Sequence, residues 1–488
     1  MKKIPHTGAN KRYAAIAILI CTICFLSARF SFAQTRHGDF RRDSLDTSFI
    51  IVDHIVIEGN KRTRNQTILR ELTFTSGDTL PADDLMNQLE LSRNHVMNTG
   101  LFHEVIMNIE KWNHDTVDIS VTVKERWYVL PLPAANLYDR SFNVWWVEHD
   151  HDLRWLQAGI RFYQKNLSGR NDQFQATALF GYQRRLEATY SLPYFDRVQK
   201  HGISVSASYV QSRSLTYRID SNKELIYADV NSFQRSVFQT GVNLFFKPGL
   251  NYRYTLTAGY KNSEIADTIA ALNPDYFLGG RTKQQFLYAR VSFTRDFRDI
   301  VSYPLQGNFL DVSLSKLGFG IFGTVDLWEA TTAFSQYVQL RPKWYLASIN
   351  KVKVSFPTTQ PYNLQRGLGY GNDYVAGYEY FAIDGQSWGF TKLDLKNRIV
   401  NFHLKSSPKN PFLKGARIPF VLYAKIYLDA GYVSNAHAFD YNTLDNQLLV
   451  GGGAGIDLVL LYDTTFRFEY SINKLGERGL FFHTSTYF

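Results

Sequence analysis

The chain has 488 residues, a formal charge of +10 and 15% aromatic residues at a mean hydropathy of −0.24. Its two cysteines, Cys21 and Cys24, both lie near the N-terminus, which excludes a disulfide framework for the rest of the chain. Beyond residue 33 no apolar run approaches the roughly 20 residues that a membrane-crossing helix needs, so a helical membrane protein is excluded as well. Many aromatics on a polar average fit membrane strands instead, with one face in lipid, one in water and aromatic girdles at both interfaces.

The chain starts with Lys2, Lys3, Lys11 and Arg12, followed by an apolar run over residues 14–26 and the small-residue sequence Ser31-Phe32-Ala33. This pattern reads as a secretory signal over residues 1–33, cleaved after Ala33. A lipoprotein reading of Cys21 or Cys24 is weaker, because Ile20 and Ile23 stand where a small residue is expected. Removing the signal's five basic residues, Arg29 included, leaves a charge of +5. That surface suits an anionic lipid leaflet, and export makes a nucleic-acid partner improbable. Residues 34–48 are polar and read as a flexible linker.

Residues 49–126 form the first folded unit. Residues 49–58 read as a strand closed by Gly59-Asn60, and residues 67–72 have helical spacing with Ile68, Leu69 and Leu72 on one side. Residues 81–97 predict a second helix, with Pro81 at a favoured early position and Leu85, Leu89 and Val96 as its stripe. Gly100-Leu101-Phe102 ends it, and two strands follow over 104–110 and 116–124. The order is β-α-α-β-β in one small α+β domain.

From residue 127 to 488 the pattern is strand, turn, strand. Sixteen spans are predicted: 128–137, 155–166, 172–182, 184–192, 201–212, 232–246, 251–262, 283–296, 306–315, 325–338, 342–354, 386–399, 418–430, 448–460, 463–473 and 479–488. Residues 420–429 put Phe420, Leu422, Ala424, Ile426 and Leu428 on one face, and Val421, Tyr423, Lys425, Tyr427 and Asp429 on the other. Residues 465–470 put Phe466, Phe468 and Tyr470 outward, with Thr465, Arg467 and Glu469 inward. Connections also alternate in length. Residues 166–171, 247–249 and 462–463 make short turns, whereas 138–154, 213–231, 263–282 and 355–385 are long; 297–305 and 400–417 fit less well. The reading is a transmembrane antiparallel β-barrel of about 16 strands, both ends periplasmic and long loops outside. Its last strand carries Phe482 and ends on Phe488, a C-terminal aromatic of the kind that marks barrels for assembly.

These residues resemble a known family. Ile57, Gly59-Asn60, Thr63, Ile68, Glu71-Leu72, Gly77-Asp78, Gly100-Leu101-Phe102, Val105 and Val123-Lys124-Glu125 resemble a POTRA domain. That is the periplasmic module of the BamA/TamA-type outer-membrane assembly family, whose barrels are of the bacterial surface antigen type. Asp296-Phe297-Arg298-Asp299 with Tyr303-Pro304 and Gly307 is similar to the family's conserved periplasmic turn. Tyr427-Leu428-Asp429-Ala430-Gly431 is similar to its late-strand motif. Val375-Ala376-Gly377-Tyr378 resembles the tip of its lumen-plugging loop, but Ala376 stands where the family has arginine. The resemblance implies that Asp429 is that arginine's natural partner. Asp457 and Glu469 also need partners; Lys425 and Arg467 share their inward faces, and a wet lumen that solvates the acids is the alternative.

No catalytic pattern stands out, and no cofactor or metal is implied. Gly367-Leu368-Gly369-Tyr370-Gly371 follows no strand-to-helix signature. The twelve histidines lack metal-ligand spacing, and His149 and His151 read as a solvated external loop. Gly451, Gly453 and Gly455 predict a thin-walled strand that leaves room for a loop to dock. The resemblance implies an assembly or translocation factor, not an enzyme. It would act by β-augmentation at the POTRA domain and at a lateral barrel seam. Its partners would be outer-membrane lipids, unfolded client barrels and periplasmic proteins or lipoproteins. A passive porin-like channel and a scaffold barrel without insertase activity are the alternatives.

Overall fold

The structure, a computed structural model, describes residues 49–137, 142–148, 150–196, 198, 200–229, 231–323, 325–405, 417–437, 442–460 and 464–485. The predicted signal, the linker and Phe488 lie outside these residues.

The first unit runs β1 (Phe49–Glu58), α1 (Asn65–Leu69), β2 (Thr79–Pro81), α2 (Leu85–Asn98), β3 (Phe102–Asn113) and β4 (Thr116–Glu125). Its sheet has the order β2-β1-β4-β3, with β1 parallel to β4 and β3 antiparallel to it. α2 buries Leu85, Leu89, Ser92 and Val96, one stripe at helical spacing, against Ile50, Val52, Val117, Ile119 and Val121. Each fully buried aliphatic side chain contributes about 1.5–3 kcal/mol, which is how so small a sheet holds together without disulfides.

Two local readings are corrected here. Pro81 ends the short edge strand β2 instead of starting the helix, which begins at Leu85 after Asp84. Proline has no N–H to give a ladder, and at a strand's end it needs none. Leu69 is exposed while Ile68 and Leu72 are buried, because α1 closes after one turn.

The second unit is a sheet of 16 strands in sequential antiparallel order. It comprises β5 (Val129–Leu137), β6 (Leu156–Lys165), β7 (Gln173–Gly181), β8 (Gln183–Leu192) and β9 (His201–Ser212). A separate hairpin follows, β10 (Ser214–Asp220) and β11 (Lys223–Ala228). The sheet resumes with β12 (Arg235–Gly249), β13 (Tyr252–Ile265), β14 (Lys283–Asp296), β15 (Gly307–Leu317), β16 (Leu327–Arg341) and β17 (Trp344–Phe356). A small pair, β18 (Arg366–Leu368) and β19 (Ile383–Asp384), lies within the next long loop. The sheet ends with β20 (Ser387–Lys405), β21 (Arg417–Ser434), β22 (Leu448–Val459), β23 (Thr465–Asn473) and β24 (Arg478–Ser485). Each of the sixteen predicted spans holds a strand within its described residues, and the fold is the transmembrane barrel expected of them.

The alternation is physical. On β21, Tyr423, Lys425, Tyr427 and Asp429 are buried, whereas Ile426 and Leu428 are exposed on the opposite, lipid-facing side. On β23, Thr465 and Glu469 are buried while Phe468 and Tyr470 face out. A belt of rings, Phe246, Tyr254, Phe293 and Tyr252, links neighbouring strands near the short turns at centroid distances of 6.0, 5.0 and 6.4 Å. Among the described residues no helix is long and apolar enough to cross a membrane.

The two ill-fitting connections now have causes. β20 runs on to Lys405, with a bulge beside Ile399, and β21 begins at Arg417, so the gap at 400–417 narrows to residues 406–416, which lie outside the described residues. The connection at 297–306 is long because it folds inward. Tyr303 is 5% exposed and packs at a tilt against Tyr423, with ring centroids 5.0 Å apart.

Candidate functional site

The long connection between β17 and β20 enters the barrel. Val375, Ala376 and Tyr378 are buried, and Val375 and Tyr378 join Leu368, Trp388, Phe390, Val433 and Leu449 in one apolar cluster. The tip rests on glycines of the wall. A Cβ on Gly451 of β22 would overlap the carbonyl oxygen of Ala376, and one on Gly431 of β21 would come within 2.5 Å of Val375 Cγ2. Gly377 has φ +78 and lies so close to β23 that a Cβ there would meet Asn473 at 2.9 Å. Asn473 Nδ2 donates to the Gly377 carbonyl at 2.7 Å. The thin-walled strand therefore accommodates the loop.

Below the tip lies a lattice of charges. Asp429 accepts the backbone N–H of Ala376 at 3.0 Å, and Lys392 Nζ of β20 lies 3.9 Å away. A backbone donor and a wall lysine thus stand where the resemblance places an arginine. Lys425 bridges Asp457, at 3.2 Å, and Glu469. Asp457 also accepts Tyr303 Oη at 2.8 Å and has Lys396 at 3.9 Å. Arg467 lies directly opposite Asp457 across the β22–β23 ladder. Buried acids with such partners avoid the several kcal/mol that an isolated buried charge costs. Lys392 and Lys396 are not singled out by the sequence, and Tyr303 reads there only as part of a turn. Lysine periodicity on β20 marks the first two as a pair on one face, but nothing local tells that Tyr303 turns inward.

At the sheet's two ends, β24 meets the loop after β5. That loop carries a short helix, α3 (Phe142–Glu148). Asn143 Oδ1 accepts the Phe482 N–H at 2.9 Å, and its Nδ2 donates to the Phe482 carbonyl at 3.2 Å. A side-chain amide thus imitates a neighbouring strand at the edge of β24 that points away from β23.

The small domain docks on the turn between β6 and β7. Arg64 N–H and Thr67 Oγ1 both donate to the Gly169 carbonyl, at 3.0 and 2.9 Å. Arg62 reaches Leu167, and Asn166 reaches Thr63 Oγ1 at 2.8 Å. Thr63 in turn binds Glu125 and Tyr128 at 2.6 and 2.9 Å. Burial pushes the Glu125 carboxyl up. Hydrogen bonds from the Thr63 hydroxyl and from the N–H groups of Thr63 and Arg62 outweigh this and hold it below the ordinary carboxylate range. Gly59 makes the close approach to Val123 that starts this corner (φ +86), and Asn60 Nδ2 holds the Thr63 carbonyl at 2.9 Å. At the far end of α2, Gly100 has φ +69, and Leu101 and Phe102 enter the core.

On the external side, the β10–β11 tip crosses the mouth. Asn222 is fully buried, donates to Asn442 Oδ1 at 2.8 Å and accepts from Thr443 Oγ1 at 2.7 Å. Its carbonyl takes the Ala382 N–H at 2.8 Å. The loop holding Asn442 follows β21, eight strands along the sixteen-stranded order from β9, which precedes the hairpin. In a closed barrel those strands face each other, so this contact caps the lumen. Of the predicted external histidines, His151 stacks on Trp146 at 4.9 Å, and His149 lies outside the described residues.

The chain matches the Omp85 superfamily domain over residues 166–476 and a POTRA domain, described as a surface antigen variable number repeat, over residues 50–126. Among solved structures it is similar to BamA from Haemophilus ducreyi lacking POTRA domains 1-3, at 16% identity and a TM-score of 0.51, covering 90% of this chain and 85% of that one. CdiB from Escherichia coli is similar at 12% identity and a TM-score of 0.48, covering 99% of this chain and 100% of that one. CdiB from Acinetobacter baumannii is similar at 12% identity and a TM-score of 0.47, covering 90% and 73%. No curated protein sequence matches the chain. With one POTRA domain in front and the superfamily's barrel domain over more than half of its length, the chain belongs to the Omp85 superfamily.

Proposed function

We propose that the chain assists insertion of other β-barrel proteins into the bacterial outer membrane, with its POTRA domain in the periplasm. The observation that carries this is the edge of β24. Its Phe482 amide and carbonyl are both bonded by one side chain, Asn143. Releasing two hydrogen bonds frees strand-pairing groups that lipid cannot satisfy and a client strand can. The POTRA edge strand β3 offers a second template, since among the described residues it pairs with β4 alone and exposes Ile106 and Trp112. No covalent step is needed; the free energy comes from client folding.

A passive channel is disfavoured by the buried loop tip and by the Asn222 contact across the mouth. A scaffold that lost activity with the tip arginine is disfavoured because Ala376 N–H and Lys392 still hold Asp429. The reading is tested by placing a photo-crosslinking residue at Phe482 and, separately, at Trp112 in cells. Adducts with newly exported barrel proteins at both sites are expected. Absence of client adducts at Phe482, with the protein folded in the membrane, refutes the seam mechanism.

A further inference from the structure

Just beyond the loop tip, Glu379 projects toward the last two strands. It is 4% exposed, and among the described residues neither of its carboxyl oxygens has a hydrogen-bond partner. Such a group carries an uncompensated desolvation cost unless something binds it. Glu469 of β23 and His483 of β24 stand around it, and a donor atom from each of the three lies within 4.8 Å of the others. His483 Nε2 is 3.3 Å from Glu469 Oε2 and 4.0 Å from Glu379 Oε1, and it too has no hydrogen-bond partner.

These separations are the size of a metal site. Donors at about 2.1 Å from a tetrahedral ion sit roughly 3.4 Å apart; the 3.3 Å side already fits, and the other two, 4.0 Å and at most 4.8 Å, close by side-chain rotation of Glu379 as the ion binds. The donors are also held in place. Glu469 Oε1 is taken by Lys425, which leaves Oε2 facing the centre. The Tyr374 ring stacks on His483 at 5.0 Å and 13°, fixing the imidazole plane.

Charge points the same way. Asp457 and Glu469 share Lys425, Asp394 has Lys396 at 3.6 Å and Asp429 has Lys392 at 3.9 Å. Among the described residues, Glu379 has His483 at 4.0 Å as its one basic group within ion-pair distance, and Lys392 acts on it from farther away. The lattice is short of positive charge at this corner. A proton on Glu379 would neutralise it, but would leave the 4.0 Å gap to His483 unbridged.

We propose that Glu379, Glu469 and His483 bind one divalent transition-metal ion, of which Zn²⁺ is the natural representative. Two carboxylates with an imidazole suit zinc and its neighbours better than Ca²⁺ or Mg²⁺, which take oxygen ligands. The ion ties the lumen loop to β23 and β24, the strands on one side of the seam. The ligands come from three distant segments, so no spacing motif announces them. The inference is independent of the insertion reading, because metal content is measured without any client.

The test uses the full-length protein, purified from membranes without a histidine tag, stripped with chelator, given Zn²⁺ and dialysed. Elemental analysis should find about one equivalent in the wild type and only background in Glu379→Gln, with His483→Ala as a second variant. Glu379→Gln preserves size, and heat-modifiable migration checks that its barrel is folded. The melting temperature of the wild type should rise with Zn²⁺ and fall back with chelator, while that of Glu379→Gln stays unchanged. Background zinc in the wild type overturns the proposal. So does equal zinc in wild type and Glu379→Gln, which would place the ion elsewhere, as at Asp53, His54 and Asp118 on the small domain.

Discussion

Gly451→Ala adds one methyl group where the Ala376 carbonyl already sits, so the loop tip must withdraw from β22. Withdrawal breaks the Ala376 N–H bond to Asp429, a charged acceptor at 3.0 Å, and the Asn473 bond to Gly377 at 2.7 Å. A hydrogen bond to a charged group is worth about 1.5–3 kcal/mol and a neutral one about 0.5–1.5, so together the docked loop loses roughly 2–4.5 kcal/mol. At about 1.4 kcal/mol per tenfold, the undocked population rises about 30-fold or more. Two assays read this out. Protease added to membrane vesicles should cut within residues 357–386 of the variant and spare the wild type. Planar bilayers should show larger and more frequent openings. A folded Gly451→Ala barrel with wild-type cleavage and conductance would refute the contact and the plugged-lumen account resting on it.

Other predictions concern the charge lattice, the seam and the domain junction. Lys425→Met leaves Asp457 and Glu469 buried without their shared cation and should destabilise the barrel by about 3–5 kcal/mol in urea titrations. Adding Asp457→Asn should restore part of that loss; no restoration would mean the lysine acts through packing alone. Asn143→Ala removes both bonds to Phe482, worth about 1–3 kcal/mol, and should speed hydrogen exchange at the Phe482 amide; unchanged protection would show that another group holds this edge. At the junction, the Glu125 carboxyl is held below its ordinary value, so its contribution is full at neutral pH and is lost as pH falls through that lowered value. Crosslinking between residues near Arg64 and Gly169 should therefore weaken in acid for the wild type. In Glu125→Gln it should be weaker at neutral pH and flat in acid.

The strands were readable because each is a local pattern. Ile426 and Leu428 face lipid and Lys425 and Asp429 face the lumen, and a period of two shows this without knowledge of any neighbour. The small domain was readable from the α2 stripe and its glycine turns, whereas Pro81 misled because it suits a helix start and a strand end equally. Contacts made over long sequence distances were not legible. Thr63 and Glu125 read as residues of a fold motif, yet they are half of the joint with the β6–β7 turn. Tyr303 reads as a turn residue until the barrel closes around it and Asp457 becomes its acceptor. Ala376 reads as a lost side chain, and only the folded loop shows the backbone N–H that reaches Asp429.

If this barrel assembles other barrels, its loss must show in a quantitative outer-membrane proteome taken before and after depletion of the protein. Other β-barrel proteins should fall while their unfolded precursors collect in the periplasm. A fall confined to one or two proteins would narrow the role to dedicated clients. An unchanged outer-membrane proteome at full depletion would contradict the claim.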